Sequence, residues 1–204
     1  MQPFVTQCNT IFTGQTTYST GSNPVSLKAV DVNSDDKFDI IVANYGSNNV
    51  GVLLNTGNST FSAQTTYSTG SGPYSVAAAD VNGDNKPDII VANFDSNNVG
   101  VLLNTGDGTF SAQTIYSTGS GPYSVAAADV NGDNKPDIIV ANYGSNNAGI
   151  LLNTGNGTFS AQTIYSTGSG PVCMAAADVN GDSKPDIIAA NYDSNNVGVF
   201  LNYC

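Results

Sequence analysis

The chain repeats itself every 49 residues, and that period limits what it can fold into more than any other feature. Asp31, Asp80, Asp129 and Asp178 each open the same block. Residues 73–121 and 122–170 differ at five positions only: Phe94/Tyr143, Asp95/Gly144, Val99/Ala148, Val101/Ile150 and Asp107/Asn156. The outer copies have drifted further, yet DVNSDDKFD in the first and DVNGDSKPD in the fourth keep the same Asp, Asn, Asp, Asp skeleton. Self-similarity at a period of 20–50 residues marks solenoids, propellers and arrays.

Within a unit the pattern reads as four short strands. Residues 75–79 are small and apolar, and 88–93 form a nearly continuous apolar run suited to a buried strand. Residues 98–104 and 109–117 follow, with looser alternation. Gly, Pro and Asn fill the joints DVNGDNKP, DSNN, NTGDG and STGSGP, as tight turns require. Four strands in a unit of this length is the signature of a propeller blade. No helical period of 3.6 residues competes with it.

The fold class expected is all-β: a four-bladed β-propeller of four-stranded antiparallel blades, with residues 1–204 as one domain. Residues 11–20 match the fourth strand of a unit, as in residues 60–69, while the last unit stops at residues 201–204 after its third strand. The N-terminal strand is therefore expected to complete the last blade and close the ring, which removes a free edge. Cys8 and Cys204 stand 196 residues apart, four times the repeat, so a disulfide at the seam is expected. It would stabilise by about 2–4 kcal/mol. Cys173 replaces Ser75 and Ser124 and is expected to be a buried free thiol. The Ala-rich strands suit crowding near the axis of a small ring, and a monomer is expected. The alternative is a dimer of open half-rings with eight blades.

Composition narrows the chemistry. The net charge is −11 with neither Glu nor Arg, and 12 of the 16 Asp occupy three fixed repeat positions. Five Lys cannot neutralise many phosphates, which argues against nucleic acid. No apolar stretch approaches a membrane span, and residues 1–7 are too short and polar for a signal peptide. Histidine is absent, which removes the usual general base and the commonest transition-metal ligand.

The sharpest motif is D-x-N-x-D-x-K-x-D. It comprises Asp31, Asn33, Asp35, Lys37 and Asp39; Asp80, Asn82, Asp84, Lys86 and Asp88; Asp129, Asn131, Asp133, Lys135 and Asp137; and Asp178, Asn180, Asp182, Lys184 and Asp186. Side-chain oxygens at positions 1, 3, 5 and 9, with the backbone carbonyl of the position-7 Lys, suit a hard cation. Ca²⁺ takes six to eight oxygens in irregular geometry, whereas Mg²⁺ demands a stricter octahedron and zinc prefers softer ligands. The loop is not an EF-hand, because position 12 is Val91 in place of Glu. Asx-turns would explain one such loop. Three carboxylates in nine residues, four times over, repel each other without a cation, so up to four Ca²⁺ are expected.

With GPYSVAAADVNGDNKPDIIVAN and VGVLLNTGDGTF in hand, the unit resembles the FG-GAP/VCBS repeat of integrin α-subunit propellers and related extracellular proteins. The resemblance implies that Ca²⁺ sits in the loop between a blade's first two strands. It also implies an extracellular or secreted adhesion or interaction module. The chain departs from the family in having Asn at position 3. At position 6, where the family favours Gly, it has Asp36, Asn85, Asn134 and Ser183, which singles out the fourth site as the weakest.

At the opposite end from the acidic loops, Tyr45, Phe94, Tyr143 and Tyr192 recur beside Asn and Ser. They form a candidate face for a protein or glycan ligand, the alternative being that the rings pack between blades. An interaction module is the leading expectation and a propeller lectin the second. An enzyme is disfavoured, because the acidic clusters read as metal ligands and no nucleophile–base arrangement stands out. The Asn58 and Asn156 sequons are compatible with secretion.

Overall fold

The computed structural model describes residues 14–203, so Cys8, Cys204 and the first part of the expected closing strand lie outside the described residues. Unit 1 contains β1 (Pro24–Val30), β2 (Asp39–Asn44), β3 (Asn49–Leu53), β4 (Asn55–Gly57), β5 (Thr60–Phe61) and β6 (Thr65–Ser68). Unit 2 repeats them as β7 (Pro73–Ala79), β8 (Asp88–Asn93), β9 (Asn98–Leu102), β10 (Asn104–Gly106), β11 (Thr109–Phe110) and β12 (Thr114–Ser117). Unit 3 follows with β13 (Pro122–Ala128), β14 (Asp137–Asn142), β15 (Asn147–Leu151), β16 (Asn153–Gly155), β17 (Thr158–Phe159) and β18 (Thr163–Ser166). Unit 4 has β19 (Pro171–Ala177), β20 (Asp186–Asn191) and β21 (Asn196–Phe200).

Each of the first three units is a four-stranded antiparallel meander, in order β1-β2-β3-β6 and its equivalents, with a small hairpin such as β4-β5 set apart from it. Residues 109–117, which read as one strand, divide into a hairpin arm and an outer strand. Ser111 causes the break: its N–H donates to the Leu103 carbonyl at 2.8 Å, and its hydroxyl accepts the Leu103 N–H at 3.0 Å.

The units stack face to face through apolar side chains on both surfaces of each sheet. At the first junction Ile41, Ala43, Val50 and Val52 meet Val76, Ile89, Val91 and Leu102. The same set recurs one repeat later at the second junction. The second strand of each unit is buried on both faces for this reason, and β8 and β14 are buried along their whole length. The innermost strands run side by side in the sequence β1, β7, β13, β19.

The expected closure into a four-bladed ring does not occur among the described residues. β1 packs along β7 and β19 along β13, but β19 is not packed along β1. Leu27 is 67% exposed where Val76 is 6%, and Val197 is 64% exposed where Val99 is fully buried. The chain is an all-β, propeller-like arc of repeated antiparallel sheets, open at both ends. Val, Ile and aromatic side chains fill each junction, and three such junctions leave units 1 and 4 apart. Unit 4 remains three-stranded, and residues 14–20 carry no strand partner. Cys173 is a free, exposed thiol instead of a buried one, because it points to the side of β19 that no further unit covers.

One glycine position locks each meander. The Asn142 amide nitrogen donates to the Asn147 side-chain oxygen at 2.8 Å and to the Gln162 side-chain oxygen at 3.3 Å, tying three strands together. A Cβ on Gly119 would lie 2.9 Å from the Asn142 side chain. Gly119→Ala is therefore expected to destabilise by about 1–3 kcal/mol through overpacking, measurable by urea unfolding.

Candidate functional site

The acidic loops sit between the first and second strands of each unit, all at one end of the arc beside the small hairpins. Lys86 Nζ approaches within 3.6 Å of where a Gly106 Cβ would stand. In the first loop Asp31 works as a backbone clamp. Its Oδ1 accepts the N–H groups of Asn33, Ser34 and Asp35 at 3.2, 2.8 and 3.3 Å, and its Oδ2 that of Asp36 at 2.8 Å. Asn33 Oδ1 accepts the Asp35 N–H, and Asp35 Oδ1 accepts the Lys37 N–H. Equivalent bonds organise the other loops around Asp80, Asp129 and Asp178.

This winding needs left-handed backbone at positions 4 and 6. Gly83, Gly132 and Gly181 supply the former and Ser34 replaces them in loop 1 at φ 62°. Position 6 is left-handed in all four loops, at Asp36 (62°), Asn85 (64°), Asn134 (62°) and Ser183 (67°). Such φ values suit Asp and Asn better than Ser.

Positions 1, 3 and 5 lie at the exposed rim, and position 9 lies behind them, where the carboxylates of positions 1 and 5 still act on it. Asp39, Asp88, Asp137 and Asp186 are all wholly buried. Asp88 Oδ2 accepts the Val81 N–H at 2.9 Å and its Oδ1 accepts the Asn104 N–H at 2.8 Å. Asp39 does the same with Val32 and Asn55, Asp137 with Val130 and Asn153, and Asp186 with Val179 and Asn202. The position-9 carboxylate therefore pins the acidic loop to the hairpin. Among the described residues no three Asp, Glu, His or Cys side chains gather closely enough to hold a metal.

Individual carboxylates are shifted in opposite directions. Burial pushes the Asp88 and Asp137 carboxyls above the ordinary carboxylate value, opposed by the N–H groups they accept. The Lys37 ammonium, 2.9 Å from Asp35, holds Asp35 below it, and Lys135 does the same for Asp133. Asp178 is held low chiefly by the backbone N–H groups of Ser183 and Gly181.

The donor set fits a hard cation in chemistry. Positions 1, 3 and 5 offer two carboxylates and an amide oxygen with no soft ligand, and two of the four Lys lie across the same rim, ion-paired to position 5. Position 9 adds a second role to the one read from the sequence, since its carboxylate also ties the loop to the hairpin.

At the opposite end the aromatic residues are brought together by two tyrosines that sequence reading missed. Tyr74 and Tyr123, 49 residues apart, pack with ring centroids 4.3 Å apart, planes tilted by 43° and hydroxyls 2.9 Å apart. Tyr45 and Phe94 pack on Tyr74, and Tyr143 packs on Tyr123. The Tyr123 hydroxyl is pushed up to about 12, first by its hydrogen bond with Tyr74. Val25 and Val172 stand at this place in units 1 and 4, so the cluster belongs to the middle units. That Pro-Tyr difference was its visible signal. Tyr192 lies outside the cluster and is 70% exposed.

A model of the FG-GAP-like repeat matches three overlapping stretches, residues 31–91, 80–140 and 129–189, each running from one acidic loop into the next unit. Comparison with curated proteins returned no match. Among solved structures the chain is similar to an Agrocybe aegerita lectin that recognises non-reducing terminal N-acetylglucosamine. The TM-score is 0.57 at 21% identity, covering 85% of this chain and 51% of the lectin chain. It is also similar to BBS1N, solved in complex with ARL6DN. There the TM-score is 0.62 at 14% identity, covering 90% of this chain and 52% of that one. A third likeness is to the Photorhabdus luminescens Tc holotoxin pore, at a TM-score of 0.54 and 19% identity, covering 85% of this chain and 9% of that one. The chain thus spans about half the length of the first and second, and these likenesses concern the fold. The three matched stretches take in most of the sequence, and the chain belongs to the FG-GAP-like repeat family.

Proposed function

We propose that this chain is a calcium-stabilised interaction module, extracellular and without catalytic activity of its own, that presents a rigid propeller surface to a protein or glycan. The observation that carries this reading is the fourfold loop, in which a clamped position-1 Asp, an Asn and a second Asp turn their oxygens to one rim. Calcium would be held by positions 1, 3 and 5 and the position-7 carbonyl of each loop, with water completing the shell. Asp39, Asp88, Asp137 and Asp186 would act from behind by fixing the loop to the hairpin. A bound cation supplies charge neutralisation, and nothing in the arrangement requires it to act on a substrate.

Metal-stripped protein titrated with calcium is expected to take up four ions per chain, read by calorimetry and elemental analysis. Asp129→Ala should lower the count to three, with the fold retained by circular dichroism. A stripped protein that takes up no calcium at millimolar free ion would overturn the reading.

The glycan version is the second reading. It is favoured by the exposed Tyr192 beside Asp193 and by the fold shared with a sugar-binding lectin. Glycan-array binding lost in Tyr192→Ala would select it over a protein partner.

A further inference from the structure

Both ends of the arc expose apolar side chains whose equivalents are covered at every internal junction. At internal junctions Val99 and Val101, or Ala148 and Ile150, are covered by the next unit, whereas their equivalents Val197 and Val199 on β21 are 64% and 51% exposed. At the other end Leu27 is 67% exposed, whereas Val125 and Met174 at the same repeat position are 7% and 5% exposed. Contiguous apolar faces of this kind on an edge blade call for a cover.

Unit 4 also leaves a cavity of about 330 Å³ against unit 3. It is lined by Val130, Ile150, Leu152, Tyr165, Ile187 and Phe200 among others. The residues two repeats earlier, Val32, Val52, Leu54, Tyr67, Ile89 and Leu102, surround Phe110. The cavity is thus the third instance of a phenylalanine seat. Phe12, Phe61, Phe110 and Phe159 share that repeat position, and Phe159 and Phe110 already fill the second and first seats.

Residues 14–20 show which chain Phe12 serves. Tyr18 lies edge-on to Phe61 at 5.3 Å, and its hydroxyl donates to the Ser59 carbonyl. Tyr67 stands to Phe110 in the same way, at 5.5 Å. Residues 16–19 therefore occupy the place of an outer strand in a blade preceding unit 1, while β21 is an edge strand without an outer neighbour. Tyr18 thus lies against unit 1, whereas the cavity lies between units 3 and 4.

We propose that a second copy of this chain covers both end faces, the two copies closing head to tail into one ring of eight units. The segment around Phe12 of each copy fills the cavity of the other. Residues 16–19 of one copy complete the last blade of its neighbour, with Val197 opposite Tyr18 and Val199 opposite Thr16, following the Val50–Tyr67 and Val52–Thr65 register of unit 1. Continuity with the internal junctions identifies the occupant, because each end face is already complementary to the other. Head-to-tail contacts form a closed ring when the rotation closes, and the matched strand ends are then satisfied between chains.

Light scattering coupled to size exclusion tests this on the 204-residue chain. Twice the single-chain mass is expected. Val199→Arg and Leu27→Arg, each at a side chain exposed in the single chain, should both give the single-chain mass with unchanged circular dichroism. Phe12→Ala should weaken association roughly 100-fold. A single-chain mass for the unaltered protein at every concentration would overturn the proposal, whether the ends then close on themselves or stay open. So would a two-chain mass that survives both Arg substitutions, because the contact would then lie elsewhere.

Discussion

Chelation of calcium lowers the unfolding temperature by roughly 10–20 °C if the four loops bind as proposed. A site with a dissociation constant of ~10⁻⁴ M in about millimolar calcium adds on the order of 1.4 kcal/mol. Four independent sites then add roughly 6 kcal/mol, comparable with the whole stability of an ordinary domain. For a chain of this size each kcal/mol moves the midpoint by about 2–4 °C. The mechanism is visible in the loops: Asp31 and Asp35, or Asp129 and Asp133, share one short turn, and single Lys ammonium groups offset only part of that charge. Thermal melts with calcium and with chelator check it. Superimposable melts would sink the claim that the ion holds the fold.

The second large effect is expected at a residue no ion need touch. Asp88→Ala removes both acceptors for the Val81 and Asn104 N–H groups in a wholly buried site. Two orphaned donors at about 1–3 kcal/mol each, with a small cavity added, predict a loss of about 3–5 kcal/mol in urea unfolding. Asp129→Ala, at the exposed rim, should cost far less in the absence of calcium, so the pair separates scaffold from ligand. The effect also carries a pH signature. Burial raises the folded-state value of Asp88 above the ordinary 3.8. Its contribution is therefore fully present below 3.8 and diminishes as pH rises through the raised folded value. The stability gap between the unaltered protein and Asp88→Ala should widen on acidification from neutral pH toward 3.8. Asp35 and Asp133 behave in the opposite sense, because their lowered values confer stability above 3.8 that is lost as pH falls.

Much of the site was legible because its determinants are local. The four D-x-N-x-D-x-K-x-D loops sit between first and second strands as their spacing implies, and β8 and β14 coincide with the apolar DIIVAN run. The scaffold role of position 9 could not be read this way. Asp88 looks like a ligand in a nine-residue window, yet its partner Asn104 lies 16 residues on, in a hairpin that the repeat pattern merged with the third strand. The Tyr74–Tyr123 contact was hidden for the same reason, since it joins neighbouring units across one full period.

The sequence alone determined the unit: its length, its strand order, its oxygen-rich loop and its family, all of which follow from hydrophobic periodicity and turn chemistry within 49 residues. Only the tertiary structure decided how the units sum. Ring closure depends on the angle between units at each junction, where Val, Ile and aromatic side chains meet. That angle is a property of two packed faces, so no window of one repeat contains it. The exposure of Leu27 at one end and Val199 at the other records the result.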